Sequence, residues 1–288
     1  MIRIGEQKTF FIEGGDNVGK TTTINKIKEI LSQEMIFKLL YTTPYKDIVF
    51  HKYPSTEMTE FMDAYIKLLN IVNTEMTRLV SQSLNFGDTS IQLIELAMRC
   101  LIKDMKDVLT TTYGDKINIC DRGILSTYLY QFLNYAKLRY DINNVNTLNE
   151  ATLLKIFINE ILNKTLQISN TDINVIILYN NSDNKLNIDE SETIEYKKKF
   201  DHNQTLQDTI NRSLNNIVSN ITESETIKLK PYKLCDITFY RVNIYKYIKE
   251  ADTSKYVPVR KTNLQLADEI IKIIVGTIYN DKEDKNEE

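Results

Sequence analysis

The chain has 288 residues, 42% hydrophobic and 26% charged, with a formal net charge of −3. That length supports one large domain or two small ones with a full core, and the absence of a basic excess argues against nucleic acid as the main partner. Three widely spaced cysteines (Cys100, Cys120, Cys235) lack C-x-x-C spacing and cannot build a typical zinc site with the two histidines, His51 and His202, so they read as reduced, intracellular packing residues.

In chain order, Thr9 to Ile12 form a short apolar run ending at Glu13, as a buried parallel strand does. The opening residues read as leading into this strand, so no secretory leader is expected, and no apolar run is long enough to span a membrane. The expectation is therefore a cytoplasmic protein with no membrane partner. Gly14 to Thr21 fit G-x-x-x-x-G-K-[ST], and Thr22 to Leu31 place Ile24, Ile27, Ile30 and Leu31 at helical spacing. Ile48 to Tyr53 predict a second strand before Pro54. Glu57–Met76 and Ser90–Thr110 predict helices, and Lys116 to Cys120 a third strand running into Asp121-Arg122-Gly123. Helices over Tyr128–Leu138 and Leu148–Leu166, a strand over Asn174–Tyr179 and a helix over Gln204–Asn220 follow. Lys228 to Tyr256 resist assignment. Asn263–Tyr279 close the pattern as an amphipathic helix, and Asp281 to Glu288 read as a disordered charged tail. Strands alternating with helices predict an α/β fold of three layers, a mostly parallel central sheet covered on both faces, in one domain over 1–280.

The loop residues have a physical logic. Gly14, Gly15 and Gly19 let the backbone approach phosphate oxygens, and the helix that follows points its N-terminus at an anion. Lys20 reaches the β and γ phosphates, and Thr21 offers its hydroxyl to Mg²⁺. Asp121 and Arg122 follow a strand at the end of the sheet where ligands bind. The aspartate suits Mg²⁺, and the arginine's planar fork suits phosphate.

Residues Asp121 to Gln131, DRGILSTYLYQ, resemble the D-R-x-x-x-S-x-x-A-Y-Q motif of thymidylate kinases. The loop resembles that family's E-G-x-D-x-x-G-K-T-T, with Glu13, Gly14, Asp16, Gly19, Lys20, Thr21 and Thr22 matching. Lys52-Tyr53-Pro54 is similar to its R-E-P or R-F-P turn, and Ala97-Met98-Arg99 to the A-x-R of the base-reading helix. The resemblance covers roughly residues 8 to 220 and the last helix, and implies ATP and Mg²⁺ as cofactors and phosphorylation of dTMP to dTDP. Asn17, Val18 and Thr22 would complete the donor loop. Asp16 would bind the sugar 3′-hydroxyl and approach the acceptor phosphate, which Arg122 holds and Lys52 supports. Thr21 and Asp121 would serve Mg²⁺. Arg99 would read the pyrimidine, Ser126 and Thr127 would meet the base ring, and Tyr130 would pack on the sugar beside Gln131. Tyr53 and Pro54 would wall the pocket. Family members are commonly homodimers, so a homodimer is expected.

The sequence also departs from that pattern. Glu95 stands where the family stacks a Phe on the base, which leaves dUMP or another deoxynucleoside monophosphate open as acceptor. The loop has no Arg at Asn17 or Val18. The expected lid, 180–200, offers only lysines (Lys185, Lys197, Lys198, Lys199), of which Lys197 and Lys199 are taken as catalytic. Thr222 to Tyr256 read as an insertion of about 35 residues. A deoxynucleoside kinase and a non-catalytic nucleotide-binding module are the remaining alternatives.

Overall fold

The structure is a computed structural model that describes residues 7–15, 18–31, 33–41, 43–80, 87–111, 115–139, 150–166, 171–180, 204–220, 224–228, 236–249 and 256–285. Its centre is a six-stranded sheet. The strands are β1 (Gln7–Gly14), β2 (Asp47–Lys52), β3 (Lys116–Asp121), β4 (Thr171–Tyr179), β5 (Ser224–Lys228) and β6 (Asp236–Asn243). The order is β2-β3-β1-β4-β6-β5. Five strands run parallel, and β5 lies antiparallel on the β6 edge.

Side-chain alternation splits the core into two layers. Phe11, Cys120, Val175, Ile177 and Phe239 face one side. They meet α3 (Thr56–Val80), α4 (Gly87–Thr111), α5 (124–139), α6 (150–166) and α7 (Gln204–Asn220). Phe10, Ile12, Ile119, Ile176 and Leu178 face the other side, against α1 (Lys20–Ile30), α2 (Gln33–Leu40) and α8 (Asn263–Lys285). A strand covered on both faces is buried along its whole length, and every residue of β1 is buried, the polar Gln7, Lys8, Thr9 and Glu13 included. Both α5 and α6 carry a π-helical turn, Tyr128–Phe132 and Ile158–Leu162. Extra residues of this kind rotate a helix face locally and often mark functional segments.

Because β1 lies between β3 and β4, the chain crosses over it in passing from one half of the sheet to the other. The carboxyl end of β1 is therefore the topological switch point, where parallel sheets hold their ligands.

Three sequence expectations change. The segment 222–256 is not one insertion: Asp236–Asn243 is the fifth parallel strand, with Ile237, Phe239 and Val242 buried. On either side of it lie the edge strand β5 and a hairpin of β7 (Tyr245–Lys249) and β8 (Tyr256–Arg260). The last helix runs to Lys285, past the expected tail boundary at Asp281. The helix expected from Tyr128 begins earlier, at Ile124. The expected lid, 180–200, lies outside the described residues from 181 onward.

Candidate active site

At the end of β1 the chain turns through Gly14, at φ 150°, and reaches α1 through Gly19, at φ 90°. Both values lie where side chains are strained. At Gly14 a Cβ would also fall 2.5 Å from the Leu178 carbonyl oxygen of β4, so glycine lets the loop leave the sheet this close to its neighbour. Val18 is buried against the Gly14 position. Lys20, at the first turn of α1, is 5% exposed and donates to the carbonyls of Gly14 (3.1 Å) and Gly15 (2.5 Å). Its ammonium therefore lies across the loop, beside the α1 N-terminus.

Next to it, the Thr21 hydroxyl donates to Asp121 Oδ2 at 2.6 Å, across a hundred residues of sequence. Asp121 Oδ1 is buried and has no hydrogen-bond partner among the described residues. A buried carboxylate oxygen without a partner is costly. Beside a threonine hydroxyl at a phosphate loop, this donor set fits a hard, oxygen-seeking cation. It is not a preformed cage, since no group of three or more His, Cys, Asp or Glu that could hold a metal occurs among the described residues. That suits Mg²⁺, which takes one or two protein oxygens and completes its shell with phosphate and water.

The turn after Asp121 is the second half of the site. Arg122 adopts φ 71°, a conformation uncommon outside glycine and a hypothesis of function where it occurs. Its N–H donates to the Ile12 carbonyl at 3.1 Å, and its guanidinium lies 5.7 Å from the centre of the Tyr130 ring, a cation–π contact. The next residue, Gly123, is extended, and a Cβ there would fall 2.2 Å from the Phe11 ring. Glycine is thus required for the turn to pack on β1.

Glu13 holds this turn in place. It is fully buried; Oε1 accepts from the N–H of Leu125 (2.8 Å) and Ser126 (3.2 Å), and Oε2 from the Ser126 hydroxyl (2.6 Å). A carboxylate from β1 therefore caps α5, satisfying N–H groups that the helix leaves unpaired and favouring its positive end. Burial raises the Glu13 pKa, against the lowering influence of the Ser126 bonds and of Arg122. Sequence reasoning matched Glu13 to a motif without assigning it a role. Its signal was the motif position, while its partners lie more than a hundred residues away.

Tyr53 joins β2 to the same turn. Its N–H donates to the Asp121 carbonyl at 3.0 Å, and its hydroxyl pairs with Thr127 Oγ1 at 3.0 Å. Burial pushes the Tyr53 phenol well above its ordinary pKa, so it is a neutral hydrogen-bonding group. The Tyr53–Pro54 peptide is cis. Ser55 then caps α3, its hydroxyl accepting from the Met58 N–H, and donates through N–H and hydroxyl to Asp104 of α4. Lys52 is exposed and stands opposite Asp121 in register.

The structure brings together Gly14, Gly19, Lys20, Thr21 and Asp121, and beside them Arg122, Ser126, Thr127, Tyr53 and Tyr130. Thr22 is exposed on α1 and Gln131 is half-buried in α5. The Ser126 and Thr127 hydroxyls, expected at a base ring, are bonded to Glu13 and Tyr53. Arg99 takes a different setting. Its guanidinium donates twice to Glu95 Oε1 (3.0 and 2.7 Å) and once to Thr165 of α6 at 3.1 Å. Together with Cys100, Lys103, Lys106, Asp107 and Thr165 it lines a cavity of about 350 Å³. Asp16, Asn17, Lys185, Lys197, Lys198 and Lys199 lie outside the described residues.

A phosphate loop at the switch point of a parallel sheet, with an Asp-Arg turn on the neighbouring strand, defines a P-loop α/β fold. No known protein-family profile and no curated protein sequence matches the chain. Among solved structures the chain is similar to a thymidylate kinase from Ehrlichia chaffeensis, at 15% identity and a TM-score of 0.40, over 94% of this chain and 98% of that one. It is similar also to a thymidylate kinase from Candida albicans, at 17% identity and a TM-score of 0.41, over 95% of this chain and 92% of the other. At such identities and scores neither likeness bears on what this chain acts on. No helix among the described residues is long and apolar enough to cross a membrane.

Proposed function

We propose that this protein is a nucleoside monophosphate kinase of the thymidylate-kinase type, transferring the γ-phosphoryl group of ATP to dTMP. The observation that carries the reading is the Asp121–Arg122 step. One residue turns a buried carboxylate toward the phosphate loop through Thr21, and the next, at φ 71°, holds a guanidinium over Tyr130. In this reading the donor and acceptor phosphates bind side by side at one strand end.

An acceptor phosphate oxygen attacks the γ phosphorus in line. The new P–O bond forms as the bond to the β–γ bridging oxygen breaks, and ADP leaves with that electron pair. With a second pKa of about 6, a phosphate monoester is already largely dianionic at neutral pH, so the step needs no general base. Lys20 exchanges its loop carbonyls for β and γ oxygens, and Arg122 orients the acceptor. Thr21 and Asp121 would hold Mg²⁺, which when bound neutralises charge on the donor phosphates. From the resemblance, Asp16 belongs at the acceptor sugar, and Lys197 and Lys199 at the transferring group. Because both Glu13 oxygens accept hydrogen bonds from α5, Glu13 acts as a positioning residue.

The Glu95–Arg99 pair favours a second reading, an acceptor other than dTMP. The arginine expected to read a pyrimidine is engaged by a carboxylate on its own helix, so the base must supply groups that suit both. A homodimer belongs to the proposal. Phe61, Leu68 and Ile71 form an exposed apolar stripe on α3, of a kind that marks interaction surfaces.

The test is ADP formation from ATP and Mg²⁺ with a panel of nucleosides and nucleoside monophosphates. The expected outcome is turnover with dTMP. Turnover only with another monophosphate establishes the second reading, and no turnover with any acceptor sinks both.

A further inference from the structure

The link from β2 to α3 is short, Tyr53-Pro54-Ser55, and three other elements hold it. At its entry, β3 accepts the Tyr53 N–H at the Asp121 carbonyl (3.0 Å). From α5, Thr127 Oγ1 pairs with the Tyr53 hydroxyl at 3.0 Å. At its exit, α4 supplies Asp104, which accepts the Ser55 N–H at Oδ2 (3.0 Å) and the Ser55 hydroxyl at Oδ1 (2.5 Å).

The last of these is a clamp. It uses both oxygens of one carboxylate, so it fixes the direction of Ser55 as well as its distance, and bonds to a charged acceptor are the stronger kind. With its proton turned toward Asp104, the Ser55 hydroxyl presents a lone pair to the Met58 N–H at 3.2 Å and caps α3. Thr59 grips the same residue, donating to the Ser55 carbonyl through its N–H and its hydroxyl, each at 2.9 Å.

A serine cap needs no carboxylate behind it. What Asp104 adds is a fixed spacing between the turn and α4. Its helix is anchored, since the neighbouring Leu101 and Met105 are buried in the same core layer as Tyr53. Its charge also reaches the turn: burial raises the pKa of the Tyr53 phenol, and Asp104 raises it further. The turn carries Tyr53 and Pro54, and α4 carries the Glu95–Arg99 pair. The donor loop does not depend on this clamp, because Thr21 bonds Asp121 directly and β1 pairs with β3 in the sheet.

We propose that Asp104 is a positioning residue for the acceptor nucleotide: by clamping Ser55 it sets the separation between the Tyr53–Pro54 wall and α4, and with it the fit of the acceptor. The inference rests on the kinase reading above, which makes that turn an acceptor wall.

The test is steady-state kinetics of the full-length chain, with ATP and the accepted monophosphate varied separately and thermal melting followed in parallel. Asp104→Ala raises the acceptor KM roughly tenfold, the scale of one hydrogen bond to a charged group, while the ATP KM and kcat hold. Asp104→Asn keeps one acceptor oxygen and recovers part of the loss. Tyr240→Phe, which loses a 3.1 Å bond to Thr277 on the opposite face of the sheet, controls for stability and moves neither KM. Lower melting of Asp104→Ala with an unchanged acceptor KM makes the clamp structural and overturns the inference, with the kinase reading intact. So do equal rises in both KM values. If Asp104→Ala does not fold, Asp104→Asn decides by the same criterion. If the unaltered protein turns over no acceptor, the kinase reading falls and the inference with it.

Discussion

The two ends of the proposed substrate path are built differently. Around the carboxyl ends of β1 and β3, side-chain hydrogen bonds join residues far apart in sequence: Thr21 to Asp121, Glu13 to Leu125 and Ser126, Tyr53 to Thr127. Most of these groups are buried. On α4, by contrast, Arg99 is tied mainly to Glu95 one turn away, and both side chains are about one-third exposed. Buried networks are rigid and costly to disturb, whereas a half-exposed i,i+4 pair contributes little and can rearrange. In the proposed reading, phosphate handling sits on fixed geometry and base selection on a pair that can adapt.

The largest expected effect lies on the rigid side. Lys20→Ala should lower turnover by about a hundred- to a thousandfold, the scale of losing one preorganised charge-stabilising donor. The circular dichroism spectrum should be retained. If turnover survives, the phosphate loop is not where transfer occurs. Arg122→Ala should come next, lowering acceptor kcat/KM by about ten- to a hundredfold while ATP affinity stays the same. Equal losses for donor and acceptor would merge the two phosphate positions that the Asp121–Arg122 step separates.

Glu13 tests the rigidity itself. Glu13→Ala leaves two buried N–H groups of α5 without their acceptor and should cost about 1–3 kcal/mol in urea unfolding. Glu13→Gln isolates the charge. Burial raises the Glu13 pKa above 4.5, so the folded chain takes up this proton before the unfolded chain does. The stability it contributes is full below 4.5 and declines as pH rises through the raised value. Unfolding of the unaltered protein and of Glu13→Gln, compared from about pH 8 to about pH 5, should show the difference shifting in favour of the unaltered protein as pH falls. His51, whose burial lowers its pKa below 6.5, works in the opposite direction, and the difference between the two proteins cancels it. A pH-independent difference would mean that Glu13 is solvated.

The smallest effect lies on the adaptable side. Glu95→Gln should change stability by no more than about 0.5 kcal/mol and show instead in the ratio of kcat/KM between dTMP and other monophosphates. A large stability loss with an unchanged ratio would make the pair structural.

Much of this was legible in the sequence because its signals are local. The run from Gly14 to Thr21 needs glycine for its positive φ angles, and the apolar run from Thr9 to Ile12 needs burial on both faces; both requirements fall within a few residues. The helix over about Gln204–Asn220 was legible as well. The fifth strand was not, because Ile237, Phe239 and Val242 are scattered among polar neighbours and become a core strand only by pairing with β4. Ser126 was read as a ligand contact, and nothing near it in the chain announces that its hydroxyl belongs to Glu13.

The sequence alone determined the pattern of a phosphate loop, because that chemistry is written in consecutive residues: glycines for close approach, Lys20 for charge, Thr21 for a hydroxyl. Only the tertiary structure decided what surrounds that loop. It set Asp121 on Thr21, capped α5 with Glu13, turned Arg122 over Tyr130 and clamped Ser55 to Asp104. All but the Arg122–Tyr130 contact join residues that parallel strands and crossover helices separate widely along the chain. Hydrogen bonds and charge act over a few ångströms in space, and for a parallel sheet that distance is set by topology and not by sequence separation.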